Sequence, residues 1–151
     1  MLNVAFMKVY TKFKLYFYKA LFEKIKNRET SLTTVETYCI EIIYAMGRPT
    51  VSEFASFIQI SSPNAAYKIN SLVKKGYLNK VQSQEDKREY FLEVTEKYLK
   101  YHHITTNYVD VVTERMKERF TEEELKVLEK LLVIVHDELT PEVDNNFTKI
   151  K

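Results

Sequence analysis

Three times in this chain a threonine is followed three residues later by a glutamate: Thr33 and Glu36, Thr50 and Glu53, Thr121 and Glu124. Each pair is a capping box, in which the hydroxyl accepts from the glutamate N–H and the carboxylate accepts from the threonine N–H, so each fixes a helix start. The first opens a helix carrying Val35, Tyr38, Cys39, Ile42, Ile43 and Met46, closed by Gly47 before Pro49. The second opens a short helix with Phe54, Ala55, Phe57 and Ile58 apolar, and the third a ladder of Leu125, Leu128, Leu132, Val135 and Leu139 ending at Pro141. Between the second and third boxes the pattern predicts two more helices. One is capped at Ser61 or Ser62, with Pro63 in its first turn and Gly76 at its end. The other begins near Thr95 and turns Tyr98, His102, Thr105, Val109, Val112 and Met116 inward. With 2 Gly and 3 Pro, the chain lacks the glycines of a nucleotide-binding phosphate cradle and the turns of a β-rich scaffold. The fold class is mainly α.

Residues 1–25 form a further helix, with Leu2, Phe6, Val9, Phe13, Tyr16 and Ala20 on one stripe and Leu15, Tyr18, Phe22 and Ile25 on another. Two apolar faces need two covers, and a partner subunit is the simplest second one. A basic amphipathic helix on a membrane surface is the competing reading. The longest apolar run, Leu15 to Tyr18, is bounded by lysines, so neither a secretory segment nor a membrane span is expected. A length of 151 residues, 45% apolar, suits one core, and a single Cys points to a reducing cytosol.

Only residues 77–94 depart from helical spacing. Leu78 to Val81 and Tyr90 to Val94 have strand composition and flank a polar tip at 83–88, which predicts a β-hairpin. Short helix, turn, second helix and two-stranded ribbon is the order of a winged helix-turn-helix. The net charge of +2 conceals a local field: residues 1–30 carry +5, residues 96–151 carry −3, and no carboxylate occurs from Phe54 through Gln84. A surface that meets phosphates needs such a window; chance is the rival explanation.

Centring the buried face of the second helix on Ile69 groups Ala65, Ala66, Leu72 and Val73 beside it. Asn64, Tyr67, Ser71 and Lys74 then lie opposite, flanked by Lys68 and Lys75, with Ser62 at the helix start. These side chains offer an amide, hydroxyls and cations to base edges and phosphates, and without arginine they lean toward A·T pairs. On the hairpin tip, Arg88 reaches a minor groove while Asp86 holds its guanidinium, with Lys87 between them. Taken alone, Asp86 and Arg88 also read as an ordinary surface pair.

These residues resemble the MarR/SlyA transcription regulators along nearly the whole chain. The resemblance rests on the helix-turn-helix, the junction Lys74-Lys75-Gly76-Tyr77-Leu78, the wing Asp86-Lys87-Arg88, and Leu92-Glu93-Val94-Thr95 after it. Many relatives carry glycine where this chain has Tyr98. The resemblance implies dimerisation helices at 1–30 and 96–151 around a DNA-binding lobe at 31–95, intertwined as one homodimeric domain. It further implies a repressor on an inverted-repeat site of double-stranded DNA, relieved by a small apolar or aromatic ligand. Tyr10, Phe13, Phe17, Tyr38, Tyr101 and Tyr108 fall on helices that wall a ligand crevice in that family; core packing is their other reading.

The remaining residues take plainer readings. Cys39 has no Lys, Arg or His within four positions, which favours a buried structural thiol over a redox sensor. His102 and His103 are adjacent and diverge by about 100° on a helix, and His136 is distant, so no metal site is expected. Glu122 to Glu124 suit a helix N-terminus. No nucleophile and base are paired by any motif, so neither an enzyme nor a cofactor is expected. The rival from another class is a dimeric helical scaffold that docks proteins through the winged lobe.

Overall fold

The structure, a computed structural model, describes residues 1–26 and 31–144, and of 25 and 103–106 the backbone alone. The elements are α1 (Leu2–Lys26), α2 (Thr34–Ala45), α3 (Val51–Phe57), α4 (Ser62–Lys74), β1 (Leu78–Gln82), β2 (Tyr90–Val94), α5 (Glu96–Arg119) and α6 (Glu122–Glu138). The capping boxes of α2 and α3 form in full, with Thr33 and Thr50 N–H each donating to a glutamate Oε2 at 2.7 Å. At α6 the Thr121 N–H donates to Glu124 Oε2 at 2.8 Å, and this bond holds the Glu124 carboxyl below its usual range. The chain divides into two units, Met1–Thr30 with Lys100–Val135, and Ser31–Leu99 with the C-terminal residues from His136.

The unit built on 31–99 is a winged helix. Ile40, Ile43, Phe54, Ile69, Leu72, Leu78, Leu92 and Tyr98 are fully buried and form its core. β1 and β2 pair antiparallel in the register Leu78↔Val94 through Gln82↔Tyr90, which sends Leu78 and Leu92 inward. A third segment joins them at one point: Thr50 bridges Phe91, and the Leu92 N–H donates to the Pro49 carbonyl at 2.8 Å. Thus the link between α2 and α3 is stitched to the wing. The burial of α2 differs from its apolar pattern, because Val35 and Tyr38 are exposed while Ile40 is buried. The α2 face that meets the lobe runs along Glu36, Thr37, Cys39, Ile40 and Ile43.

Three left-handed residues end the helices of this lobe. Gly47 and Gly76 have φ of 87° and 80°, and Gln59 has φ of 55°. At Gln59 the Ile60 N–H returns to the Ala55 carbonyl and the Gln59 N–H to Ser56, a Schellman turn that closes α3 and redirects the chain into α4.

In the other unit, Tyr108 of α5 stacks on Tyr16 of α1 at 4.0 Å between centroids and meets Phe13 at 5.3 Å. Lys24 is buried, with its ammonium bonded to the Tyr101 carbonyl and 3.6 Å from the Tyr101 ring centroid. Both stripes of α1 leave large apolar side chains open, including Leu2, Phe6, Leu15 and Phe22. No residue of α6 is buried: of the leucine ladder Leu125, Leu128 and Val135 are half-buried, and Leu132 and Leu139 are exposed. Among the described residues no helix is long and apolar enough to cross a membrane.

Candidate nucleic-acid interface

Helix α4 begins at Ser61, whose hydroxyl accepts from the Asn64 N–H, and Pro63 occupies its first turn. Its buried residues are Ala65, Ile69 and Leu72, while Val73 is exposed. Relative to a wheel centred on Ile69, the buried face is therefore rotated by roughly 35°, at about 100° per residue. The outward face consists of Asn64, Tyr67, Asn70 and Lys74, all exposed, with Tyr67 at 76%.

The rotation has a visible partner. Glu36 of α2, buried although charged, sits against the opposite flank of α4. Its Oε1 accepts from Ser71 Oγ at 2.5 Å, and its Oε2 from Lys75 Nζ at 2.6 Å and from the Thr33 N–H at 2.7 Å. Lys75 Nζ also donates to the Ser31 carbonyl at 2.9 Å. Burial pushes the Glu36 carboxyl up, but the bonds from Lys75, Ser71 and Thr33 outweigh it and bring the pKa to about 2. Glu36 is thus ionised at any ordinary pH. The end of α4 is held as well: Lys97 Nζ donates to the Lys75 carbonyl at 2.8 Å and Thr95 Oγ1 to the Gly76 carbonyl at 2.7 Å.

At the wing tip, Arg88 Nε and Nη2 donate to the two oxygens of Asp86 at 3.1 Å each, and the Arg88 N–H donates to Oδ1 at 2.9 Å. These bonds hold the Asp86 carboxyl below its usual range, while the Arg88 side chain remains 91% exposed. The buried Ser83 hydroxyl accepts from the N–H groups of Glu85 and Asp86, and Gln82 Nε2 donates to the Lys87 carbonyl at 2.7 Å, so the turn that carries Arg88 is fixed. At the wing base Arg48 pairs with Glu93 and lies 4.4 Å from the Phe91 ring centroid.

Between the wing and the starts of α3 and α4 lies a cleft of about 210 Å³, lined by Thr50, Ser52, Ser62, Lys80, Arg88, Glu89 and Tyr90. Its hydroxyls and two cations outweigh the single Glu89 carboxylate and suit a phosphate group. Outward amides and hydroxyls on α4, a braced cation on the wing and a basic cleft between them form one surface able to follow a nucleic-acid backbone.

The sequence model of the MarR family matches residues 32–90, from the start of α2 to the first residue of β2. Over those residues the chain is similar to the MarR family. Residues 69–138 also match MutS family domain IV; this second match overlaps the first only at 69–90 and otherwise follows β2, α5 and α6. No curated protein matches the chain in sequence. Solved structures share the fold over almost the full length. Transcriptional regulator Tm0710 of Thermotoga maritima aligns with a TM-score of 0.60 at 19% identity, covering 99% of this chain and 98% of its own. FabT of Streptococcus pneumoniae, solved in complex with DNA, aligns with a TM-score of 0.58 at 20% identity, covering 94% and 97%. A MarR family protein of Bacillus stearothermophilus aligns with a TM-score of 0.63 at 16% identity, covering 92% and 93%.

Within this lobe the predicted residues divide. Ser62, Asn64, Tyr67 and Lys74 lie exposed along α4, and Lys87 and Arg88 are exposed on the wing, with Asp86 behind Arg88. Ser71, expected on the outward face, and Lys75, expected on its flank, are instead bonded to Glu36, because α4 is rotated toward α2. Lys68 is half-buried on that same side and contributes a positive field at Cys39. Asn70 takes the outward place and escaped the sequence reading, although its spacing of three from Tyr67 and four from Lys74 marks it. The buried Cys39 thiol is pushed up by desolvation, with Lys68 opposing and Glu36 adding to the shift.

Of the residues expected around a ligand crevice, Phe13 and Tyr108 touch each other and Tyr101 meets Lys24. Phe17 neighbours Tyr18, Tyr10 is exposed near Lys14, and Tyr38 is exposed on the lobe.

Proposed function

We propose that this chain is a transcription regulator that binds double-stranded DNA as a homodimer. Each recognition helix α4 lies in a major groove of an inverted repeat, and each wing places Arg88 at the flanking minor groove. The observation that carries the reading is Arg88, held by the two bonds it donates to Asp86 yet almost wholly exposed, on the same surface as the carboxylate-free face of α4. A guanidinium fixed without being consumed is prepared for an external acceptor. The DNA complex of FabT supports the same use of the shared fold.

The homodimer is supported by the open apolar stripes of α1 and the exposed Val127, Leu131, Leu132 and Val133 of α6, which two copies would bury together. Occupancy of the site represses transcription by blocking it, and an apolar or aromatic effector weakens binding by favouring a dimer with misplaced recognition helices.

Selection from a pool of random duplexes tests the reading. The expected result is an A·T-leaning consensus with two-fold symmetry, bound by a dimer in sedimentation. No enrichment over the starting pool, or binding by a monomer, overturns it.

A further inference from the structure

We infer that Glu36 is a positioning residue for DNA reading: its bracket to Ser71 and Lys75 sets the rotation of α4, so that Asn70 rather than Ser71 faces the bases. The inference rests on the DNA-binding reading proposed above.

Three observations support it. First, the bracket grips one flank of α4 at two positions four residues apart, a full helical turn, which opposes rotation about the helix axis as a single contact would not. Second, both partners of Glu36 are polar groups of the basic helix turned away from the outward face, and Lys75 is tied again to the Ser31 carbonyl. Third, the carboxylate is already fixed on α2 by the capping box with Thr33, so it acts as a rigid anchor. Glu36 neutralises Lys75 locally, while Lys74 stands exposed at the end of the outward face.

Glu36→Gln isolates the role, because glutamine still satisfies a capping box but cannot neutralise Lys75. The measurement is affinity for the duplex selected from the random pool and for a scrambled duplex of equal length, each across a salt series. The expected result is a loss of about tenfold in discrimination between the two, the scale of one base contact. The slope of log affinity against log salt should steepen by about 0.9 as Lys75 is freed to reach phosphate. In the double variant Glu36→Gln/Lys75→Met the slope returns to that of the native protein. Ser71→Ala, a substitution a helix accepts readily, removes one arm without changing charge and should cost a few-fold in discrimination.

Unchanged discrimination in both Glu36→Gln and Ser71→Ala overturns the inference. So does a loss of discrimination with no change in slope, which would describe a structural defect without release of Lys75. If Glu36→Gln does not fold, the Ser71→Ala measurement decides alone. Failure of the native protein to bind any duplex refutes the DNA-binding reading itself, before any variant is compared.

Discussion

The Asp86 carboxylate holds the Arg88 guanidinium through two parallel bonds of 3.1 Å, at the tip of a wing whose turn is fixed by the buried Ser83 hydroxyl. Arg88→Ala should therefore lower duplex affinity by about tenfold or more, within the 1–3 kcal/mol of a lost specific contact, and leave the fold intact. Asp86→Asn should cost less, since the amide retains one acceptor while the guanidinium loses its charged partner. Gel-shift titration of both variants checks this, and an unchanged affinity for Arg88→Ala would refute the assignment of the wing.

Acid should expose the Glu36 bracket. The carboxyl lies near 2 in the folded lobe against an ordinary value of 4.5. A lowered folded pKa contributes stability that is fully present above pH 4.5 and is lost as pH falls toward 2. The contribution is on the order of 3 kcal/mol. Urea unfolding of the native protein should weaken through this window, and Glu36→Gln should flatten that dependence. Equal pH dependence in the two proteins would contradict the bracket.

The turn between α3 and α4 places a glutamine where glycine is favoured. With φ of 55° at Gln59, Gln59→Gly should stabilise the lobe by about 0.5–1 kcal/mol. Gly76→Ala should destabilise it by about 1 kcal/mol through its φ of 80°; the added Cβ itself meets only Lys97 Cδ, at an ordinary 3.8 Å. Urea midpoints of both variants decide the signs.

Leu92 is fully buried beneath the hairpin, and its N–H bonds Pro49. Leu92→Ala should cost about 2–5 kcal/mol by leaving a cavity where the wing meets the α2–α3 link. Protection of the β2 amides against hydrogen exchange should fall with it; unchanged protection would mean that the wing does not depend on this contact.

Much of this architecture was legible in local sequence. Caps and glycine stops act within four residues, so Thr33, Thr50, Ser61, Gly47 and Gly76 mark helix ends directly, and the wing followed from a change of period between Tyr77 and Val94. The rotation of α4 was not legible, because Val73 and Ala65 are both apolar and the wheel cannot say which is covered. What decides it is Glu36, separated from Ser71 and Lys75 by 35 and 39 residues and read locally only as a cap. Gln59 and the Pro49 carbonyl were missed for similar reasons: glutamine is not a turn marker, and a backbone acceptor has no sequence signature. On α1 and α6 the apolar stripes were plain, but a stripe does not reveal what covers it.

The most direct test of DNA binding by α4 and the wing is the salt dependence of affinity for the selected duplex, measured for the native protein and for Lys74→Met. The account predicts that log affinity falls linearly and steeply with log salt, and that Lys74→Met reduces the slope by about 0.9 through loss of one phosphate contact. A flat dependence, or a slope that Lys74→Met leaves unaltered, would contradict it.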